Sequence, residues 1–316
     1  MIPDPVPLLG AAWERRRELH ATADLDAYRV FHGHEEGWPS VVVERFGDVA
    51  VLTQTGDEPQ DVEAIADALC ALHPFRYVVA KHAGRRNDPG QSGVTELRGA
   101  PVPRLTEALE LGVRYGVEPL AARNPGLYLD ARPVRAWLLA NSTGARVLNL
   151  FAHTGSLGIA AAMGGAASVV HVETQRRKLD RIRDNLARNE LRIDDRDRVA
   201  EDAYRFLRRA ARAGRTFDRV LLDPPPIAAY RGRERPRAGD LESLVPLAAS
   251  VLAPGGRLVV LLHRVDRTRL LAASDVAALA GDTVTVEHEG TSGPDFPESD
   301  PDAKMRFVVV RAGAPA

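Results

Sequence analysis

Three acidic residues stand where parallel-strand chemistry would need them. Glu173 follows the apolar run 168–172, Asp223 follows Val220-Leu221-Leu222, and Asp202 opens a helical stretch after a third expected strand. Ahead of all three lies the turn Phe151-Ala152-His153-Thr154-Gly155, after the apolar run 146–150. Gly155 lets the backbone approach a small ligand, and Thr154 and Ser156 offer hydroxyls. Glu173, 18 residues beyond Gly155 and followed by Thr174, is placed to accept from both hydroxyls of a ribose. Asp202, with Ala203 behind it, can face an adenine amino group. One carboxylate in such a place is readily a helix N-cap, and Asp202 invites that reading. Three in succession at strand ends point instead to a nucleoside-containing cofactor. A dinucleotide fingerprint aligned on Gly155 and Gly158 needs glycine where His153 stands, which disfavours a bound pyrophosphate and hence NAD.

Asp223-Pro224-Pro225 is the most specific element and supplies the expected catalytic residues. Methyl transfer from a sulfonium needs little acid–base chemistry and mostly in-line alignment of nucleophile and methyl group. A rigid Pro-Pro turn fixes carbonyls where they can accept from an amino nucleophile and steady its developing charge. The turn resembles the Asp/Asn-Pro-Pro-aromatic form usual in amino-group methyltransferases of nucleic acids; Pro226 stands in place of that base-stacking aromatic, and Tyr230 is the candidate to replace it.

These residues need a scaffold that presents strand ends together. Strand-like runs at 146–150, 168–172, 219–222 and 257–262 alternate with amphipathic stretches at 155–163, 175–189, 203–213 and 240–252. Strands alternating with helices predict a parallel doubly wound sheet. Two last strands, 283–288 and 305–310, with no helix between them, predict an antiparallel edge hairpin. The expected fold is α/β: a Rossmann-like, mostly parallel seven-stranded sheet over 119–316. A smaller α/β domain (23–118) precedes it, after an N-terminal arm (1–22). In the smaller domain, 39–53 reads as a hairpin turning at Phe46-Gly47-Asp48, 61–72 as a helix, 77–80 as a strand, and 108–117 as a hairpin around Gly112.

Taken together, these segments resemble the RlmI-like family of bacterial large-subunit ribosomal RNA methyltransferases. The resemblance runs from about residue 22 to 312. It is carried by the motif 147–158, by Asp223-Pro-Pro, by 124–132 (NPGLYLDAR), by 28–33 with 37–48 (YRVFHG and GWPSVVVERFGD), and faintly by 295–297 and 304–307. It implies the cofactor S-adenosyl-L-methionine, with Phe151, Ala152, His153, Thr154, Gly155, Glu173, Thr174, Asp202, Ala203 and Asp223 in its pocket and Arg132 near its methionine end. The family often begins with an RNA-binding PUA domain, expected to be missing here because only about 25 residues precede the matching region. Members that make 5-methylcytosine carry a cysteine after the fifth strand, where this chain reads Leu261-Leu262-His263-Arg264. Cytosine C5 is a poor nucleophile unless a thiolate adds to the ring, and the lone Cys70 lies in the other domain. A base nitrogen in ribosomal RNA is therefore the favoured target.

Composition sets the remaining bounds. The chain has 316 residues, 45% apolar, with net charge −1 and a single cysteine, so neither a disulfide nor a CxxC-type metal site is available. No apolar run is long enough for a membrane span. With one unpaired thiol and no leader pattern, a reducing cytoplasm is the expected compartment. All but three of the 42 basic residues are arginine. Arg231, Arg233, Arg235 and Arg237, just past the Asp-Pro-Pro turn, form the best RNA-backbone candidate, although a solvated loop in an arginine-rich chain would look the same. Arg176, Arg177, Lys178, Arg181 and Arg183, interleaved with Asp180 and Asp184, read as a solvated helix face. The alternative functions are a methyltransferase acting on a small molecule or natural product, and a cofactor-binding protein without chemistry. Oligomeric state stays open, with a homodimer one arrangement.

Overall fold

The computed structural model describes residues 3–55, 60–83, 93–122, 124–192, 194–225, 241–263, 271–300 and 304–313. The chain forms two compact units: Met1–Leu129 with Gly293–Ser299, and Asp130–Ser292 with Asp300–Ala316.

The first unit opens with helices α1 (Pro5–Arg15) and α2 (Arg17–Ala21), in the stretch the sequence pattern left as an arm. A five-stranded sheet follows, built from β1 (Ala27–His32), β2 (Val41–Phe46), β3 (Val49–Thr55), β4 (Tyr77–Ala83) and β5 (Gly93–Arg98) in that spatial order. Gly47, at φ +62°, turns β2 into β3. Helix α3 (Val62–Leu72) crosses from β3 to its parallel neighbour β4, started by Asp61, whose carboxylate accepts from Ala64 N. Such a cap contributes about 1 kcal/mol. The hairpin β6 (Thr106–Glu110) and β7 (Val113–Val117) turns through Leu111 and Gly112, both at positive φ, the backbone of a tight two-residue turn.

The distant segment Gly293–Ser299 is stitched onto this unit. Asp295, fully buried, accepts from the backbone N of Arg29 at 2.9 Å, and its own carbonyl accepts from Arg16 Nη2. Arg16 also ion-pairs with buried Glu36 at 2.8 Å, and Glu298 bonds His32. Removing one partner of a buried pair leaves an uncompensated charge, so this cluster is costly to break.

The second unit holds the seven-stranded sheet. Its strands are β8 (Arg146–Leu150), β9 (Ser168–Val172), β10 (Arg198–Val199), β11 (Phe217–Leu222), β12 (Leu252–Leu262), β13 (Thr285–Thr291) and β14 (Arg306–Arg311). Their spatial order is β10-β9-β8-β11-β12-β14-β13, the first five parallel, with β13 and β14 closing the edge antiparallel. The doubly wound sheet and its edge hairpin are as the sequence pattern predicts.

Alternating residues divide between two cores. Leu148, Leu150, Val220, Leu222, Leu258 and Val260 pack with helices α7 (Ala203–Arg212), α8 (Leu241–Ala249) and α9 (Ala273–Ala280). Val147, Leu221, Val259 and Leu261 pack with α4 (Arg132–Asn141) and α5 (Ser156–Met163). Both faces are covered, which is why these strands read as near-continuous apolar runs. Each fully buried Leu or Val contributes roughly 1.5–3 kcal/mol. From β8 the chain winds through α5, β9 and α6 (Arg176–Arg188) to one edge, then returns to β11 on the other side of β8. The switch point where ligands bind such sheets is therefore at the carboxyl ends of β8 and β11.

Candidate active site

At the end of β8 the chain makes a turn of unusual backbone. Phe151 (φ 53°), His153 (φ 51°) and Gly155 (φ 87°) all lie in the left-handed region. For the two non-glycine residues this costs on the order of 1–3 kcal/mol each, so the surroundings must hold them there. The holding contacts come from β9 and α6. Glu173 accepts from His153 N at 3.0 Å, Ala152 N donates to Val172 O, and Asn185 Nδ2 donates to the Thr154 carbonyl. A Cβ on Gly155 would sit 3.0 Å from the Ile182 side chain, and one on Gly158 would sit 2.4 Å from His171 Cε1. Both glycines are thus fixed by packing against β9 and α6.

Glu173, buried at the end of β9, also accepts from Gln175 N at 3.0 Å and from Thr174 Oγ1 at 3.2 Å. Three of a carboxylate's roughly four lone-pair sites are used. The residue expected to meet a ribose is therefore also the clasp of the turn. Asp202 caps α7 through Arg205 N at 3.2 Å, so the capping role foreseen for it is real. Its side chain is exposed, and one oxygen is enough for that cap. Ala203 behind it is buried. Arg132, nearly buried, is the first residue of α4, and the neighbouring Arg135 is fully buried.

Asp223 stands at the end of β11 with Pro224 buried and Pro225 partly buried. Its Oδ1 lies 2.8 Å from Nε2 of His263, at the end of β12. Burial pushes the His263 imidazole down, but the hydrogen bond and charge of Asp223, with Asp130 adding to them, outweigh it and hold the ring above its ordinary value. His153 goes the other way: burial, helped by Lys178 and opposed by Asp223, lowers it to about 4. At neutral pH His153 is uncharged. Glu173, Asp202 and Asp223 then make the mouth of the sheet acidic, which suits a cationic sulfonium nucleoside. The strained turn beside them gives such a ligand backbone to lie against.

Tyr230, Arg231, Arg233, Arg235 and Arg237 lie outside the described residues, as does Pro226. On α6, Arg176, Arg177 and Arg183 are exposed, and Arg183 faces Asp180 at 3.9 Å. Sequence reasoning took His263 only as the absence of a cysteine. Its position one residue beyond a parallel strand, beside the strand that ends in Asp223, was the available signal.

A family model described as S-adenosylmethionine-dependent methyltransferase matches residues 28–311. The chain belongs to this family. Among curated relatives, "Ribosomal RNA large subunit methyltransferase I" of Photobacterium profundum is 30% identical over 258 residues, covering 80% of this chain and 65% of its own. The protein of the same name from an Enterobacter species is 29% identical over 281 residues, covering 86% and 70%. The chain thus spans about two thirds of the length of these relatives. A crystal structure of an S-adenosylmethionine-dependent methyltransferase from Agrobacterium tumefaciens superposes with a TM-score of 0.63 at 20% identity, over 92% of this chain and 91% of that one. The resemblance noted on the motif residues is borne out. The methyltransferase fold and cofactor class follow from it.

Proposed function

We propose that this methyltransferase transfers the methyl group of S-adenosylmethionine to a base nitrogen in ribosomal RNA. The observation that carries the reading is the Asp223-Pro224-Pro225 turn at the switch point, one strand away from the clasped turn 151–155. The relatives' names supply the RNA. The cofactor, when bound, supplies an electrophilic methyl group on a sulfonium. In this reading Glu173 and the backbone of 151–155 take the ribose and Asp202 the adenine edge. Arg132 takes the methionine end. The two prolines hold their carbonyls rigidly beside the transfer point, where an amino nucleophile can donate to them.

Carbon-5 of cytosine fits poorly, because His263 rather than a thiol follows β12 and Cys70 belongs to the first unit. Arg231, Arg233, Arg235 and Arg237 are the proposed contacts to the RNA backbone. The test combines labelled methyl incorporation into ribosomal RNA fragments with nucleoside mass spectrometry. An N-methylated base is expected, and 5-methylcytosine would refute the nitrogen assignment. Filter binding at several salt concentrations tests these arginines. Replacing all four arginines with glutamine lowers the log–log salt slope by about 0.7 per lost single-strand contact. An unchanged slope removes these arginines from the RNA site. Absence of any ribosomal RNA binding by the wild type favours a small-molecule substrate.

A further inference from the structure

His263 stands outside the cofactor contacts proposed above, and its Nε2 lies 2.8 Å from Oδ1 of Asp223. β11 and β12 are parallel neighbours, with Leu222 opposite Val260, so the residues that follow them leave the sheet side by side at its carboxyl edge. The two side chains retain 28% and 27% of their exposure. That is enough for solvent to carry a proton away. Asp223 faces the ring from the end of β11, and Asp130 faces it from the turn before α4. Beyond Asp223 stands neutral His153, itself near Lys178 on α6. When Nε2–H donates to Asp223, the neutral imidazole carries its lone pair on Nδ1, and the carboxylate fixes that tautomer.

We propose that His263, oriented by Asp223, is the proton acceptor of the methyl transfer, and that the nucleophile it serves is a nitrogen or hydroxyl oxygen that carries a proton. The proposal rests on the methyl-transfer reading above. In the step, the nucleophile's lone pair forms the bond to the methyl carbon as the carbon–sulfur bond breaks, its pair staying on sulfur. The proton released by the nucleophile passes to Nδ1. The imidazolium so formed is stabilised by Asp223 and Asp130 and later returns its proton to water. A carboxylate partner that raises the basicity of the ring matches this task, since a general base works best with a pKa near the working pH.

Two measurements on the whole protein test this, and the first needs no substrate. Nitrogen-15 spectra of the imidazoles, with His263 assigned by loss of its signals in His263→Gln, are expected to show a neutral ring protonated on Nε2 at high pH. Its titration midpoint should lie above that of a free histidine and should fall in Asp223→Asn. A ring protonated on Nδ1, or a midpoint that Asp223→Asn leaves in place, overturns the proposal. The second follows methyl incorporation into ribosomal RNA fragments from about pH 5.5 to 9. The wild-type rate should rise with pH along a limb whose midpoint matches the spectra. His263→Gln should lose that limb and roughly 10²- to 10⁴-fold in rate, with S-adenosylhomocysteine affinity held within about twofold. An unchanged limb in His263→Gln also overturns it. If the wild type labels no RNA, the RNA reading fails, and the spectra alone decide the proton acceptor.

Discussion

Replacing Glu173 with glutamine tests whether one carboxylate both clasps the turn and prepares the cofactor site. The carboxylate accepts two backbone N–H groups, His153 and Gln175, each at 3.0 Å, and the Thr174 hydroxyl at 3.2 Å. Glutamine keeps one acceptor oxygen and turns an NH₂ toward one of the two N–H donors. A buried donor left unpaired costs about 1–3 kcal/mol. The strain at Phe151 and His153, now free to relax, reduces that cost rather than adding to it. About 2 kcal/mol of lost stability is therefore expected by urea unfolding of the cofactor-free protein. Binding falls as well, because glutamine leaves a single acceptor oxygen to serve both the backbone donors and the ribose hydroxyls. Calorimetry with S-adenosylhomocysteine should show a loss of about 30-fold, the equivalent of 2 kcal/mol. Full stability with lost affinity would mean that Glu173 touches ligand but does not hold the turn. Lost stability with full affinity would remove the turn from the cofactor site. Either result refutes the coupled role.

Two further expectations follow from the same unit and from the histidines. Burial holds His20, His32, His73, His153 and His171 below the ordinary value of 6.5, His153 at about 4 and His171 at about 3, whereas His263 is held above it. A lowered imidazole gains a proton on unfolding, so its stabilisation fades as pH falls from 6.5 toward the folded value. His263 has the opposite sign: its contribution is complete below 6.5 and fades as pH rises through its folded value. Five against one predicts a lower urea midpoint at pH 5 than at pH 7, each fully shifted ring giving up to about 1.4 kcal/mol per pH unit; equal midpoints would contradict this. Gly158→Ala should destabilise by about 1–3 kcal/mol or more in the same assay, since the new methyl meets the His171 ring at 2.4 Å and Asn149 Nδ2 at 2.9 Å; a neutral effect would show that His171 can step aside.

The parallel sheet was legible because both of its faces are covered, which turns β8, β9, β11 and β12 into apolar runs separated by amphipathic helices. Gly47 and Gly112 announced their hairpins by turn chemistry, and α3 showed in its apolar spacing, whereas its Asp61 cap was not read from the sequence. Other elements left weaker marks. β10 has only two residues and no periodicity to read. Helix α4 begins Arg132-Pro133 and buries two arginines, so its core-facing side does not read as apolar. The stitch made by Asp295 and Glu298 was invisible because its partners, Arg29 and His32, lie more than 260 residues earlier. At the site, Glu173, Asp202 and Asp223 were legible from strand ends. The clasp on His153 and the His263 partner depend on which strands are neighbours, and periodicity does not say that.

The order of the strands also separates two kinds of work. β8 stands between β9 and β11, so the turn that follows β8 leans on β9 through Glu173, while Asp223 leans on β12 through His263. The first pair settles backbone shape and acts before any chemistry begins. The second pair can change its protonation state and so acts during the transfer. The two are coupled through His153, whose neutrality depends on burial and which feels the charge of Asp223 across the switch point. A charged His153 would place a cation next to an incoming sulfonium and weaken its binding. Burial that drives His153 to about 4 removes that cation across the whole range in which His263 can cycle. One histidine is silenced by burial so that the other, raised by its bond to Asp223, can titrate beside a cationic cofactor at the carboxyl edge of the same sheet.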